Sequence, residues 1–227
     1  MAFLREANTS SLVFVLPIVI SFLVVYMSQS YAFPDNLPNG SFKCLGIMEK
    51  DVILRPMRKK SREMSSEWAL EVMRKAPFIT VSFTRPDGTA YGVPLSLACT
   101  DAQTWYFHCA LEGDKLEAIA AHPEVCLSAV TRCMPTVGPL DQSFTLQFKS
   151  AIAFGIAEVV TDEAEKIEAM RAICVRFLPE HMAAFDAAIE RSLARTAVVR
   201  IKLTAPPTGK RKQYDVQGEE MKWQRMA

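Results

Sequence analysis

Phe78-Ile-Thr-Val-Ser-Phe-Thr-Arg-Pro-Asp-Gly-Thr-Ala-Tyr-Gly-Val-Pro-Leu-Ser-Leu-Ala98 sets two β-forming runs on either side of a turn. Pro86 presets the turn's φ and Gly88 is free to take positive φ, so Arg85-Pro-Asp-Gly88 reverses the chain. Phe78–Thr84 and Ala90–Ala98 are then the two strands of a hairpin. Upstream, Ser65 and Ser66 suit a helix cap and Glu67 its first turn. Ala69, Val72, Met73 and Ala76 recur at helical spacing until Pro77 stops them.

Downstream the pattern stays mostly β. Thr100–Gln103 turns the chain into a third strand, Thr104–Cys109. A short helix, Gly113–His122, ends at Pro123, and Val125–Thr131 is the fourth strand. Arg132–Leu140, with two prolines and a glycine, reads as a loop. Ser143–Val160 is a long β-rich run, expected to bend through a bulge at Gly155. Two helices follow, Asp162–Leu178 and Glu180–Leu193, and Thr196–Leu203 alternates cleanly as the closing strand. The stretch 211–227 reads as a polar tail. Hairpins dominate and helices are inserted between them, which predicts a mainly β, antiparallel barrel rather than a doubly wound sheet.

The chain has 227 residues, half of them apolar, and a formal net charge of +1. Balanced charge with enough apolar residues for a core disfavours disorder and a nucleic-acid-binding role. Cys44, Cys99, Cys109, Cys126, Cys133 and Cys174 form no Cys-x-x-Cys pair and have no partner at zinc-ligand spacing, so they read as reduced thiols without a metal. Residues 1–47 stand apart. Ala7–Pro34 carries no charge, and 12–27 is almost continuously apolar, marginal against the roughly 20 residues a bilayer needs. Three readings compete: a signal peptide, a membrane anchor holding the domain on the cytoplasmic side through the basic run 55–62, and translation that starts at Met48 or Met57. The domain is assigned to 57–210, with a cytoplasmic location expected.

Three places could carry chemistry. Tyr106–Lys115 runs from strand through loop to a helix start, where free backbone N–H groups, Lys115 and His108 suit a phosphate; a solvated loop is the rival reading. Tyr91-Gly-Val-Pro-Leu-Ser96 puts a proline inside a strand, which suits an edge whose backbone groups could meet a planar ring; a plain edge strand is the rival. Lys149 and Ser150 lie on the long run, with alternation leaving their face open. No Gly-x-Gly-x-x-Gly, Walker loop or Gly-x-Ser-x-Gly elbow occurs.

Taken in order, Met57–Met64, Tyr91–Leu95, Tyr106–Ala110 with Gly113 and Lys115, Phe148–Ser150 with Gly155, Glu165-Lys166 and Thr208–Lys210 resemble the pyridoxamine 5′-phosphate oxidase-like FMN-binding split barrels, nearest the nitroimidazole-resistance (Nim), flavin-nucleotide-binding branch. The resemblance implies a six-stranded split barrel that forms a homodimer, with FMN in clefts between subunits. It implies that Val93, Pro94, Leu95 and Ser96 run beside the flavin ring. His108, Cys109, Ala110 and Lys115 would surround the ribityl phosphate, with Lys149 and Ser150 approaching from the long strand. His108 is the expected catalytic residue. Cys109-Ala-Leu-Glu112 departs from the small residues and glycine common there. The implied activity is an FMN-dependent oxidoreductase reducing nitro-aromatic substrates with NAD(P)H or another donor. The alternatives are a flavin carrier or sensor without turnover, and a barrel using deazaflavin or haem. Pyridoxamine-phosphate oxidation itself is not expected, because the paired Arg and His near the C-terminus are missing.

Overall fold

A computed structural model describes residues 56–138, 142 and 144–221. The quoted hairpin forms as expected: β2 (Ile79–Thr84) pairs with β3 (Ala90–Leu95) across a turn in which Asp87 accepts from the Thr89 N–H and hydroxyl at 2.9 and 2.7 Å. β3 stops at Leu95, and Ala98–Cys99 is a separate short strand, β4. The other strands are β1 (Glu63–Met64), β5 (Thr104–Cys109), β6 (Glu124–Val137), β7 (Phe144–Val159), β8 (Ala197–Leu203) and β9 (Thr208–Lys212). All pairings are antiparallel. The path runs β3-β2-β6-β7-β8-β5-β4, while β9 pairs with β7 and with β1.

The sheet is rolled. β2 and β5 are four steps apart on that path, about 19 Å if the sheet were flat at ~4.8 Å per strand. The rings of Phe83 on β2 and Phe107 on β5 nevertheless stand 6.4 Å apart, edge to face. Inside the roll lie Val81, Phe83, Trp105, Phe107, Leu127 and Ile201. β7 faces them with Ala151, Ala153, Gly155 and Ala157, all buried. Four helices decorate the barrel: α1 (Ser66–Lys75), α2 (Asp114–Ala121), α3 (Glu163–Phe177) and α4 (Phe185–Ser192). Ser65 Oγ accepts from the Trp68 N–H, and the Asp162 carboxylate accepts from the Glu165 N–H at 2.8 Å, as helix caps should. Arg176 on α3 closes the far end of α1: it donates to the carbonyls of Met73 (2.9 Å), Ala76 (2.7 Å) and Leu97, a cation placed on the negative end of the helix dipole.

Five expectations need correction. Among the described residues the sheet contains nine strands, not six, two of them of only two residues. Arg132–Val137 is not loop but the second half of β6, paired with Phe144–Lys149 of β7. Past Ala129, β6 has no β2 neighbour and, among the described residues, is itself an edge, where Pro135 is tolerated. The bulge lies between Val130 and Arg132, not at Gly155. Arg211 and Lys212, assigned to the tail, are the end of strand β9; Lys212 is buried and donates to the Thr145 hydroxyl, and Arg62 grips Glu220 beyond it. The second predicted helix begins as a 3-10 turn, Pro179–Ala184, before α4. The segment 12–27 lies outside the described residues, among which no helix is long and apolar enough to cross a membrane.

Gly155 is needed for contact rather than curvature. A Cβ there would stand 2.7 Å from both the Ile201 Cγ2 and the Lys202 carbonyl oxygen. Gly155→Ala should therefore cost about 1–3 kcal/mol through overpacking and lower Tm by several degrees. A thermal melt identical to wild type would show that the strands part freely at this point.

Candidate functional site

The predicted site residues divide into two groups. The first lies where β5 runs into α2. Along β5, Trp105 and Phe107 point into the barrel while Tyr106 and His108 point out, Tyr106 beneath α3 and His108 with an exposed edge beside Val198 of β8. Ala110 is exposed, and Gly113, at φ 116°, turns the chain into α2 in a conformation that disfavours any side chain. No side chain caps α2, and the Leu116 and Glu117 N–H groups turn back to the Gly113 carbonyl, which leaves those of Asp114 and Lys115 available to an anion. Asp114 is held by Arg85 (2.9 Å), whose guanidinium sits 4.4 Å over the Tyr91 ring; the pair ties α2 to the hairpin turn. Lys115, half-buried, is close enough to draw down the Cys109 thiol, but burial outweighs it and pushes that thiol's pKa up. Cys109 thus stays protonated near neutrality and is no nucleophile. Crowding around the His108 ring lowers its pKa, so the imidazole is neutral at pH 7 even with its edge exposed.

The second group lies on β3 and β7. Val93 and Leu95 turn inward against Val81 and Ile79 and are half-buried, which leaves mainly their backbone groups on the outer face for a ligand. Pro94 and Ser96 are exposed on the outer face, Ser96 in the gap between β3 and β4. Among the described residues β3 pairs with β2 alone, which makes it the edge that the proline foretold. Ser150 lies on the outer face of β7, with Lys210 beside it on β9. Lys149 stands in register between Arg132 of β6 and Arg211 of β9, three cations across adjacent strands. Burial first, and then the Arg132 charge, lowers the Arg211 pKa. Sequence reasoning missed both arginines because one was placed in a loop and the other in the tail; only the register reveals the row.

Within one chain the two groups do not meet. His108 belongs beside Val198, at the end of β7 marked by Val159. Ser150 is nine residues back along that strand, roughly 30 Å of chain at ~3.3 Å per residue. Lys115 adjoins the hairpin turn, whereas Ser96 lies beyond the other end of β3, about 17 Å along it. The donor types suit a phosphorylated ligand: a cation and helix-start N–H groups in one place, and a strand edge free among the described residues in the other. Among the described residues no cluster of metal ligands occurs, and the five cysteines Cys99, Cys109, Cys126, Cys133 and Cys174 are free thiols.

No curated protein matches this chain. Among solved structures, it is similar to a candidate 5-nitroimidazole antibiotic resistance protein from Bacteroides thetaiotaomicron (21% identity, 65% of this chain and 85% of that one, TM-score 0.56). It is also similar to an FAD and haem binding protein from Mycobacterium smegmatis (21%, 66% and 73%, TM-score 0.58) and to a flavocytochrome from Azotobacter vinelandii (20%, 68% and 72%, TM-score 0.54). At these identities the likeness speaks for the fold alone. The family model described as pyridoxamine 5′-phosphate oxidase matches residues 65–210, from the cap of α1 into β9. That match takes in the hairpin, the β5–α2 junction and the whole of β7, and by it the chain belongs to the pyridoxamine 5′-phosphate oxidase-like split-barrel family.

Proposed function

We propose that the protein is an FMN-dependent oxidoreductase acting as a homodimer, with one flavin in each of two clefts between subunits and nitro-aromatic compounds as substrates. The observation that carries this reading is the separation of the two groups of site residues in one chain: a second copy, packed against the first, supplies what each half lacks. The outer face of β6 and β7 suits such a partner, because Val130, Leu146, Ile152 and Ile156 are between 39% and 46% exposed there. Two of the similar structures are of proteins described as binding FAD and haem or as a flavocytochrome, which favours a redox cofactor.

Each residue then has a task. Lys115 and the first N–H groups of α2 neutralise the phosphate. The free edge of β3 around Pro94–Ser96 meets the polar rim of the ring, and Lys149 and Ser150 approach from the other subunit. The flavin, when bound, supplies the electron transfer, drawing on NAD(P)H or another donor. Neutral His108 carries one N–H that can give a hydrogen bond to the reduced substrate. Free thiols throughout the described residues accord with a cytoplasmic setting.

A second reading is favoured by His108 itself, which has no hydrogen-bond partner among the described residues to set its tautomer. A flavin carrier or sensor without turnover would need none. Anaerobic mixing of the flavin-loaded protein with NAD(P)H and a nitroimidazole separates the two: bleaching and reoxidation of the flavin support the enzyme, and a flavin that stays oxidised with every donor supports the binder.

The protein purified at full length should be yellow or take up FMN at one per chain, and run as a dimer by light scattering. Lys115→Ala should weaken FMN binding about tenfold, read by quenching of flavin fluorescence. A monomer that gains no flavin spectrum would end the proposal.

The depressed His108 pKa also has a stability signature. Below its ordinary value of about 6.5 the unfolded chain takes up a proton that the folded chain refuses. Stability is therefore full above that pH and declines as pH falls through the lowered folded value. Urea midpoints at pH 7.5 and 5.5 should show a smaller drop for His108→Asn than for wild type. Equal drops would mean that the ring titrates normally.

A further inference from the structure

A cavity of 560 Å³ opens between the end of α1, the short strand β4 and one face of α3. It shares no residue with the two groups described above. Its wall is apolar where Ala98, Ala172 and Val175 line it, and Val175 is 51% exposed at its side. The polar part is unbalanced: Arg74, Arg171 and Arg176 against Glu168.

The three arginines are not equally free. Arg171 is paired with Asp186 at 2.9 Å and lies 4.1 Å over the Phe185 ring. Arg176 gives three of its five N–H groups to the carbonyls of Leu97, Met73 and Ala76, which leaves two for a ligand; it meets no carboxylate among the described residues, and burial lowers its pKa. Arg74 is exposed and forms no ion pair with any described residue, although its charge reaches Glu71 on the same helix. A half-buried guanidinium without a counter-ion retains attraction for an anion, and a second unpaired guanidinium beside it makes a charge-assisted, two-point grip geometrically available. The helix spacing of Glu168, Arg171, Ala172 and Val175 puts them on one face of α3, so the cavity is a feature of a rigid element rather than of a loop.

We propose that this cavity is a second small-molecule site, distinct from the flavin cleft, that takes a monocarboxylate with an apolar body. The carboxylate meets Arg74 and Arg176, while the body covers Ala172 and Val175. The volume falls in the range of small-ligand pockets, about 300–1,000 Å³.

Calorimetric titration of the full-length protein with benzoate, and with benzamide as its uncharged analogue, tests this. Benzoate should bind at one per chain and benzamide at least tenfold more weakly. Arg74→Gln should weaken benzoate about tenfold, and Val175→Asp should remove binding, with melting temperature and FMN affinity unchanged in both. The benzoate affinity should be the same with and without FMN. Equal affinity for the two probes, indifference to both substitutions, or competition between benzoate and FMN would overturn the assignment.

Discussion

The barrel depends on the fit between the inward faces of β7 and β5. β5 drives Trp105 and Phe107 into the interior and β2 adds Phe83, so the strand opposite has to supply space rather than bulk. β7 does so with Ala151, Ala153, Gly155 and Ala157, and at Gly155 its backbone comes so close to β8 that a methyl group has no room. The same strand pairs with β6 along nearly its whole length, and with β9 and then β8 on its other edge. Interiors are packed like crystals, so a fit of this kind is felt through every neighbouring strand.

That arrangement also decides where chemistry can sit. A long strand shared by three others carries Lys149 and Ser150 far from the β5–α2 junction, although all belong to one domain. The helices fill other duties. α3 covers Tyr106, whose hydroxyl donates to Glu165 at 3.0 Å and whose pKa is pushed up to about 12, mainly by burial and then by that hydrogen bond. Tyr106 is therefore a fixed structural donor rather than an acid at physiological pH. Arg200 bridges Glu165 and Glu158 beside it, at 2.7 Å to each, which holds α3 against β8 and β7. With α3 fixed in this way, Arg176 can reach across to α1.

Much of this was legible from residue order. The turn chemistry of Arg85–Gly88, the serine and aspartate caps, and the period-two strands all describe local physics, and they formed where expected apart from the early end of β3 at Leu95. What escaped was set by partners distant in sequence. Arg132–Val137 has a loop's composition, yet it is a strand because β7 offers it a ladder. Thr208–Lys212 is strongly basic, yet it is held by β7 on one side and β1 on the other. The row Arg132–Lys149–Arg211 follows from those two pairings and so could not be read before them. Gly155 was noticed for the right position and the wrong cause. Alternation along β3 assigned Val93 and Leu95 to the interior only once the pairing with β2 fixed the face.

The pairing of β1 with β9, Glu63 opposite Lys210 and Met64 opposite Gly209, has one more consequence. The polypeptide enters and leaves this barrel on neighbouring strands, latched by Arg62 and Glu220. A short linker could therefore join the two ends at little entropic cost, and new termini could be opened at the exposed Arg85–Gly88 tip, yielding a circularly permuted barrel. The same neighbourhood makes trimming hazardous. Deleting β9 would bare the edge of β7 from Phe148 to Ile152, an unpaired ladder beside exposed apolar side chains, and shortened chains would tend to stack edge to edge into aggregates.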